Sequence, residues 1–174
     1  MPLAGHARRY DRSVRILGID PGLQRTGYAC LETLPRGGVK LLDAGILRLS
    51  TAKSVAWRLR ELDEDLAGLI AEWHPERMAV EQIFAHPKHV RTSIVMAHAR
   101  GVVLLAAQRA GIAIHEMAPA SVKRAVTGNG AATKRQVQLA VAARCQLATP
   151  PSPSDVADAM ALALADIQRA GAIR

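Results

Sequence analysis

The chain has 174 residues, 49% of them hydrophobic and 22% charged, which fits one globular domain with a sizeable core. Its formal net charge of +8 and isoelectric point near 10.3 indicate a polyanionic partner, nucleic acid first, over a plain solubility charge. No apolar run reaches the ~18 residues of a membrane span, and residues 1–13 lack the apolar core of a secretory signal. Cys30 and Cys145 lie far apart without the spacing of a metal site, which is consistent with a reduced, cytoplasmic protein.

The first half of the chain is predicted to contain three consecutive strands followed by a helix. Residues 1–13 are interpreted as a basic flexible leader, and residues 14–174 as one domain. Short turns between the first strands favour an antiparallel meander. The three strands are predicted over Val14–Asp20, Gly27–Thr33 and Val39–Leu49. Leucines at spacings of three and four then predict an amphipathic helix over Ser54–Trp73. Its acidic cluster falls mostly on the solvent side and consists of Glu61, Asp63, Glu64 and Asp65.

The second half alternates strands with helices. Two more strands are predicted at Glu76–Gln82 and Ile112–Met117. The helices are predicted over Val90–Ala110, Pro119–Val126, Thr133–Gln146 and Ser154–Arg169. The last of these is almost purely apolar after its first turn, so it must be buried. The pattern predicts a three-layer α/β fold with a mixed five-stranded sheet flanked by helices.

Carboxylates stand at the ends of three separated elements. Asp20 ends the first strand, Glu81 ends the fourth, and Asp155 and Asp158 lie three residues apart at the start of the last helix. Strands one and four are natural neighbours at the centre of such a sheet. If the last helix starts over the strand ends, the four carboxylates converge.

Converging carboxylates repel one another unless cations lie between them. Their hard oxygen ligands select Mg²⁺ or Mn²⁺, and two such ions in one site are the usual arrangement for phosphodiester hydrolysis. Each residue also has a structural alternative: Asp20 as a turn former, Glu81 as a plain strand-end charge, and Asp155 as a partner of the helix dipole. Asp158 lies next to the apolar face of a buried helix, which favours a functional interpretation.

Basic residues dominate the chain between Glu81 and Asp155, where Glu116 is the single carboxylate. The cations of this segment are Lys88, Arg91, Arg100, Arg109, Lys123, Arg124, Lys134, Arg135 and Arg144. Aromatic residues make up only 3% of the chain, which argues against stacking along a single strand. The backbone of duplex or junction DNA is therefore the expected target.

Several motifs together resemble the bacterial RuvC-type Holliday-junction resolvases, in order from Val14 to Arg169. They are Gly18-Ile19-Asp20-Pro21-Gly22, Thr26-Gly27-Tyr28, Glu81-Gln82-Ile83-Phe84, Ala99-Arg100-Gly101, Val122-Lys123 and Ser154-Asp155-Val156-Ala157-Asp158-Ala159. The resemblance implies a ribonuclease H-like fold, a homodimer, and symmetrical nicking of four-way junctions that depends on Mg²⁺ or Mn²⁺. It also implies action beside the RuvA–RuvB branch-migration complex.

The resemblance assigns roles by position. Asp20, Glu81, Asp155 and Asp158 fall on the metal-binding, catalytic carboxylates of the family. Lys123 and Lys134 fall on positions associated with substrate phosphates. Phe84 falls on an aromatic that contacts bases at the junction centre, with a loop anchor as its structural alternative. Further DNA contacts are expected from Lys88, Arg91 and Arg124.

The segment after Phe84 departs from the family pattern. An Asn-containing stretch is usual there, whereas this chain has Ala85-His86-Pro87-Lys88-His89. The spacing of His86 and His89 could suggest zinc, but no cysteine or further histidine accompanies them.

The predicted function is resolution of Holliday junctions in recombination and repair by a divalent-metal endonuclease. One alternative is a junction-binding protein without useful nuclease activity. Another is a sugar-kinase or actin-like ATPase, although those folds duplicate this domain and need a longer chain. The small residues of Ala97–Val103 are the predicted dimer surface, and Cys30 and Cys145 are predicted to be reduced core residues.

Overall fold

The computed structural model describes residues 12–35, 37–83 and 90–171, so most of the predicted leader lies outside the described residues. The strands are β1 (Arg15–Asp20), β2 (Arg25–Thr33), β3 (Val39–Arg48), β4 (Arg77–Glu81) and β5 (Ala113–Met117). The helices are α1 (Val55–Trp73), α2 (Val90–Arg109), α3 (Pro119–Thr127), α4 (Lys134–Arg144) and α5 (Ser154–Arg169).

The five strands form one mixed sheet in the order β3-β2-β1-β4-β5. β1 is antiparallel to β2 and parallel to β4, while β2 and β3 are antiparallel. The meander and the central pairing of the first and fourth strands are thus confirmed. Because β1 and β4 run parallel, their carboxyl ends, Asp20 and Glu81, lie at the same edge of the sheet.

Each face of the sheet carries its own hydrophobic core. Alternate residues of β1 point to opposite faces, so Ile16 belongs to one core while Leu17 and Ile19 belong to the other. The first core is completed by α3, α4 and α5, and the second by α1 and α2. This confirms the three-layer α/β fold. None of the described helices combines the length and apolarity needed to cross a membrane.

Local signals explain where the helices begin and end. The Ser54 side chain caps α1, and His74 ends it in the left-handed conformation (φ 48°) directly before Pro75. Thr133 and Gln136 form a reciprocal capping box at the start of α4. The prediction that this helix reaches Gln146 was wrong. Gln146 is left-handed (φ 54°), which terminates the helix at Arg144.

The buried helix α5 lies directly on the backbone of β1. Its residues from Val156 to Ile167 are buried, apart from a half-buried Asp158. A Cβ placed on Gly18 would lie 2.1 Å from the carbonyl oxygen of Ala159 and 2.9 Å from the amide nitrogen of Ala163. Only glycine therefore fits beneath this helix.

One charged residue is fully buried within α5. The Asp166 carboxylate is 2.9 Å from Nε of Arg77 at the start of β4, and it accepts a hydrogen bond from Nδ1 of His115 in β5. Two strands thus supply the partners that a buried charge requires. The prediction of reduced core cysteines is confirmed, since Cys30 and Cys145 are both free and buried.

We expect Gly18→Ala to destabilise the protein by about 2 kcal/mol or more, because the new methyl group overlaps the α5 backbone and the helix has to move. The measurement is thermal or denaturant unfolding. Gly68→Ala is the matched control: Gly68 is an exposed residue of α1 with open space around its Cα, so alanine should stabilise by roughly 0.5–1 kcal/mol. Equal effects of the two substitutions would contradict the close contact.

Candidate active site

Asp20 is the last residue of β1, and a braced turn follows it. Pro21 is buried and ends the strand. The fully buried Thr26 hydroxyl donates a hydrogen bond to the Gly22 carbonyl oxygen (2.6 Å) and accepts one from the Gly22 amide (3.2 Å). The chain therefore leaves the strand at a defined angle, with the Asp20 carboxylate held at the sheet edge.

Glycine in β2 lets the start of α5 reach the same edge. Gly27 lies opposite Asp20 in the antiparallel register, and a Cβ on Gly27 would lie 2.2 Å from the Asp155 carbonyl oxygen. This contact places the first turn of α5, with Asp155 and Asp158, beside the end of β1. Glu81 approaches from the neighbouring strand β4.

Three of the four predicted carboxylates face a common cavity of about 330 Å³. Its polar lining consists of Asp20, Glu81, Asp158, Lys123 and Lys134. Its apolar lining consists of Met96, Pro119, Val122 and Val137. The cavity therefore combines the acidic edge of the sheet with cations from α3 and α4.

Asp20 is the electrostatic centre of this cluster. Burial and, to a smaller degree, repulsion from Glu81, Asp158 and Asp155 together raise its pKa from the ordinary 3.8 to about 7, while Lys134 opposes the shift. Asp155 is not among the cavity-lining residues, yet its charge acts on Asp20. All four predicted carboxylates thus act within one electrostatic environment.

The pKa values of the other two cavity carboxylates, Glu81 and Asp158, are also raised by burial and lowered by lysines. Burial raises the pKa of Glu81, with a further rise from Asp158, and Lys123 and Lys134 lower it. Burial also raises the pKa of Asp158, against the lowering influence of Lys134. Lys134 occupies the first turn of α4, where the helix dipole disfavours a cation. The carboxylates opposite it compensate for that position.

The donor set fits a hard divalent cation, since Asp20, Glu81 and Asp158 offer only oxygen ligands and gain from added positive charge. Among the described residues, however, no three His, Cys, Asp or Glu side chains already form a closed ligand group. The carboxylates face one cavity and repel each other across it. Because these carboxylates repel one another, they would come together as ligands only around a cation.

The remaining predicted contacts are more scattered. Arg124 is exposed and lines a neighbouring cavity of about 590 Å³, together with Glu116 and Arg169, instead of the carboxylate cavity. Phe84 and Lys88 lie outside the described residues, as do His86 and His89. The backbone of Arg91 belongs to α2, but its side chain also lies outside them.

The acidic cluster of α1 stays apart from the site. Glu64 is exposed and pairs with Arg60, while Asp63 pairs with Arg109 of α2. These are surface ion pairs of the kind expected along a solvated helix face.

Sequence reasoning missed the apolar wall of the cavity. Met96 reaches it from α2, whereas Val122 and Val137 come from α3 and α4. Helical spacing marks the two valines only as core positions, since Val122 and Val137 are buried. No pattern in the sequence indicates that their elements meet beside Asp20.

Comparisons with known proteins point to one family. A family model described as "Crossover junction endodeoxyribonuclease RuvC" matches residues 16–166. A protein of that name from Rhodopirellula baltica is 45% identical over 151 residues, covering 86% of this chain and 83% of the relative. One from a Synechococcus species is 44% identical over 151 residues, covering 87% of this chain and 96% of the relative.

Solved structures give the same result. The structure of Thermus thermophilus RuvC in complex with Holliday junction substrate matches with a TM-score of 0.85 and 29% identity. The match covers 91% of this chain and 95% of that one. A yeast mitochondrial Holliday junction resolvase, Ydc2, matches with a TM-score of 0.63 at 13% identity and shares the fold.

In metal-free buffer at pH 8, we expect Asp20→Asn to raise the unfolding temperature, on the order of 5 °C. The wild-type carboxylate has its pKa raised from 3.8 to about 7, so its ionisation costs stability as pH rises between these values, and the full cost remains above about 7. The gain should therefore shrink towards pH 4. Thermal unfolding from pH 4 to 8 in a chelator measures it.

Asp63→Asn is the matched control for this measurement. Asp63 accepts a hydrogen bond from Arg109 at the surface (3.2 Å), so the loss of its charge should leave the unfolding temperature unchanged or slightly lower. An Asp20→Asn protein no more stable than wild type at pH 8 would contradict the repulsion described above.

Proposed function

The chain belongs to the RuvC family of crossover junction endodeoxyribonucleases, and on that premise we propose that it resolves Holliday junctions by paired, symmetrical hydrolytic nicks. The observation that carries the proposal is the cavity in which Asp20, Glu81 and Asp158 face Lys123 and Lys134. Repelling carboxylates bind divalent cations, and the lysines beside them suit a phosphodiester. The nicks would have 5′-phosphate and 3′-hydroxyl ends. The activity would serve homologous recombination and DNA repair.

We assign the cations to the carboxylates. Asp20, Glu81, Asp155 and Asp158 would hold Mg²⁺ or Mn²⁺, two ions in each active site. Bound ions of this kind polarise the phosphodiester and lower the pKa of water. The raised pKa values of Asp20, Glu81 and Asp158 support the assignment, because the nearby lysines only partly offset the effects of burial and mutual repulsion.

The lysines position the substrate. Lys123 and Lys134 line the same cavity as the acids. Their cations offset the repulsion between the acids and the approaching phosphate. Arg124 and, from the loop and the start of α2, Phe84, Lys88 and Arg91 are proposed as further DNA contacts around the junction centre.

We propose that the protein acts as a homodimer through α2. Ala97, His98 and Gly101 of the predicted surface are exposed, whereas Ala99 and Val103 point into the core. The exposed face also carries three large apolar side chains. They are Val90 (55% exposed), Ile94 (51%) and Leu105 (47%). Spacings of three and four along this series put them on one face of the helix.

Two further assignments rest on the family resemblance. We propose action beside the RuvA–RuvB branch-migration complex, which would deliver the junction. We also propose a cytoplasmic location, which agrees with the free, buried Cys30 and Cys145.

The alternative of a junction-binding protein without nuclease activity shares the same basic surface. It leaves the convergence of buried carboxylates unexplained, since acids weaken the binding of a polyanion. A nicking assay with Mg²⁺ or Mn²⁺ separates the two functions.

We expect Asp20→Asn to bind a synthetic four-way junction and not to cut it, because the substitution keeps the shape of the side chain and removes the central charge of the cluster. Gel-shift titration and cleavage with Mg²⁺ or Mn²⁺ measure the two properties. Asp63→Asn should bind and cut like wild type. Cleavage by Asp20→Asn at the wild-type rate would sink the catalytic assignment.

We expect Leu105→Glu to convert the dimer to a monomer, because the charge would be buried in the contact between α2 helices. Sedimentation equilibrium measures the change. Leu139→Glu is the matched control, since Leu139 is 48% exposed on α4, away from this face. A wild-type protein that stays monomeric even with junction bound would refute the dimer.

A further inference from the structure

Two arginines face each other across the ends of β2 and β3. Arg25 begins β2, Arg48 ends β3, and the antiparallel register pairs them directly. Residues opposite each other in such a pair have side chains on one face of the sheet, with Cα atoms roughly 5 Å apart. Both side chains are exposed. The sheet therefore ends in a paired positive charge.

The pair lies on the same face and at the same edge as Asp20. Asp20 is paired with Gly27, and Arg25 lies two residues before Gly27 in β2. The Cα atoms of Arg25 and Gly27 are therefore about 7 Å apart, and their positions share one face of the sheet. Arg48 lies one strand further out and lines a cavity of about 410 Å³ with the Pro151–Pro153 segment before α5. The arginines thus flank the carboxylates on the β2–β3 side, whereas Lys123 and Lys134 flank them from α3 and α4.

The pair is not explained by contacts within the protein. Like charges directly opposite each other in a sheet destabilise it. In the described part of the chain, neither guanidinium has an ion pair or a hydrogen bond, in contrast to the paired Arg12, Arg15 and Arg58. An external anion would remove this repulsion.

We propose that Arg25 and Arg48 form a phosphate-binding subsite for the junction strand on the β2–β3 side of the scissile phosphate. A strand that crosses the carboxylate cavity carries phosphates on both sides of the one that is cut. Lys123 and Lys134 serve one side, and the arginine pair serves the other. The guanidinium groups suit phosphate oxygens because each can donate two parallel hydrogen bonds. The inference rests on the proposed function and names a further part of its substrate site.

The test is the salt dependence of junction binding by the full-length protein. Affinity for a fluorescent four-way junction is measured in a chelator over a series of NaCl concentrations. Each phosphate contact contributes about 0.9 to the slope of log K against log salt, so Arg25→Gln with Arg48→Gln should reduce the slope by about 2. If the two proteins bind equally at about 1 M salt, this slope change weakens binding about 100-fold near 0.1 M salt. Each single variant should show about half of the slope change.

The control removes the same charge from the far edge of the sheet. Arg12 pairs with Glu76, and Lys40 lies opposite Glu32, both at the end of the sheet away from Asp20. Arg12→Gln with Lys40→Gln should keep the wild-type slope. Equal slopes for wild type and the arginine pair variant, or an equal loss in the control, would overturn the inference.

Charge-retaining variants guard against a folding defect. Arg25→Lys with Arg48→Lys should keep most of the slope, because the salt dependence follows the number of neutralised phosphates and not the bidentate geometry. Loss of the slope in this variant would indicate a structural role and overturn the subsite. Failure of the proposed function would appear in the wild type itself, as a junction left uncut with Mg²⁺ and Mn²⁺, and would overturn the inference with it.

Discussion

The contact between the α5 backbone and the central strands is the constraint on which the candidate site depends. Gly18 admits Ala159 and Ala163, and Gly27 admits Asp155, at distances that no Cβ allows. Because Asp155 and Asp158 belong to the same first turns, their carboxylates reach the strand ends only at this depth of contact. The glycines therefore determine how close the acids come. Two backbone positions in the sheet control a charge cluster formed largely by other residues.

The two ends of α5 treat buried charge in opposite ways. At its C-terminal end, Asp166 is fully buried but has Arg77 and His115 as partners from the protein. At its N-terminal end, Asp158 and the neighbouring Asp20 are surrounded by further acids, with Lys134 as a shared cation, and burial raises the pKa of both. A protein selected for stability alone would satisfy both ends. An external cation would therefore stabilise the N-terminal end of α5 most. The burial of apolar side chains between the two ends offsets the free-energy cost of the crowded acids.

Elements and their order could be predicted from sequence because the signals are local. Hydrophobic periodicity identifies the helices without reference to the rest of the chain. Their ends are marked by equally local signals, which are Ser54, Pro75 and the capping box of Thr133 and Gln136. The carboxylates could be proposed because each ends a buried element. Local signals do not give rotation or register, however, so nothing predicted that Arg124 would line a different cavity from Lys123.

The same limit applies to pairs that are distant in sequence. Arg25 and Arg48 read as unrelated surface charges until the register of β2 and β3 brings them together. The partners of Asp166 are 89 and 51 residues away from it, on two strands, although an acid inside an apolar helix was itself a signal that partners must exist. Prediction of such pairs requires the register first, since one residue of slip moves every side chain to the other face.

The two faces of the sheet divide the proposed activities between them. The α5 face holds the carboxylates, while α2 on the opposite face presents its exposed apolar side chains. α2 nevertheless connects the two, because Met96 lines the carboxylate cavity and Ile94, two residues earlier, is exposed on the outer side. A two-fold contact along α2 would thus place both cavities near the dimer contact. Symmetrical nicking of a two-fold junction requires such an arrangement, since each site has to act on one of two equivalent strands.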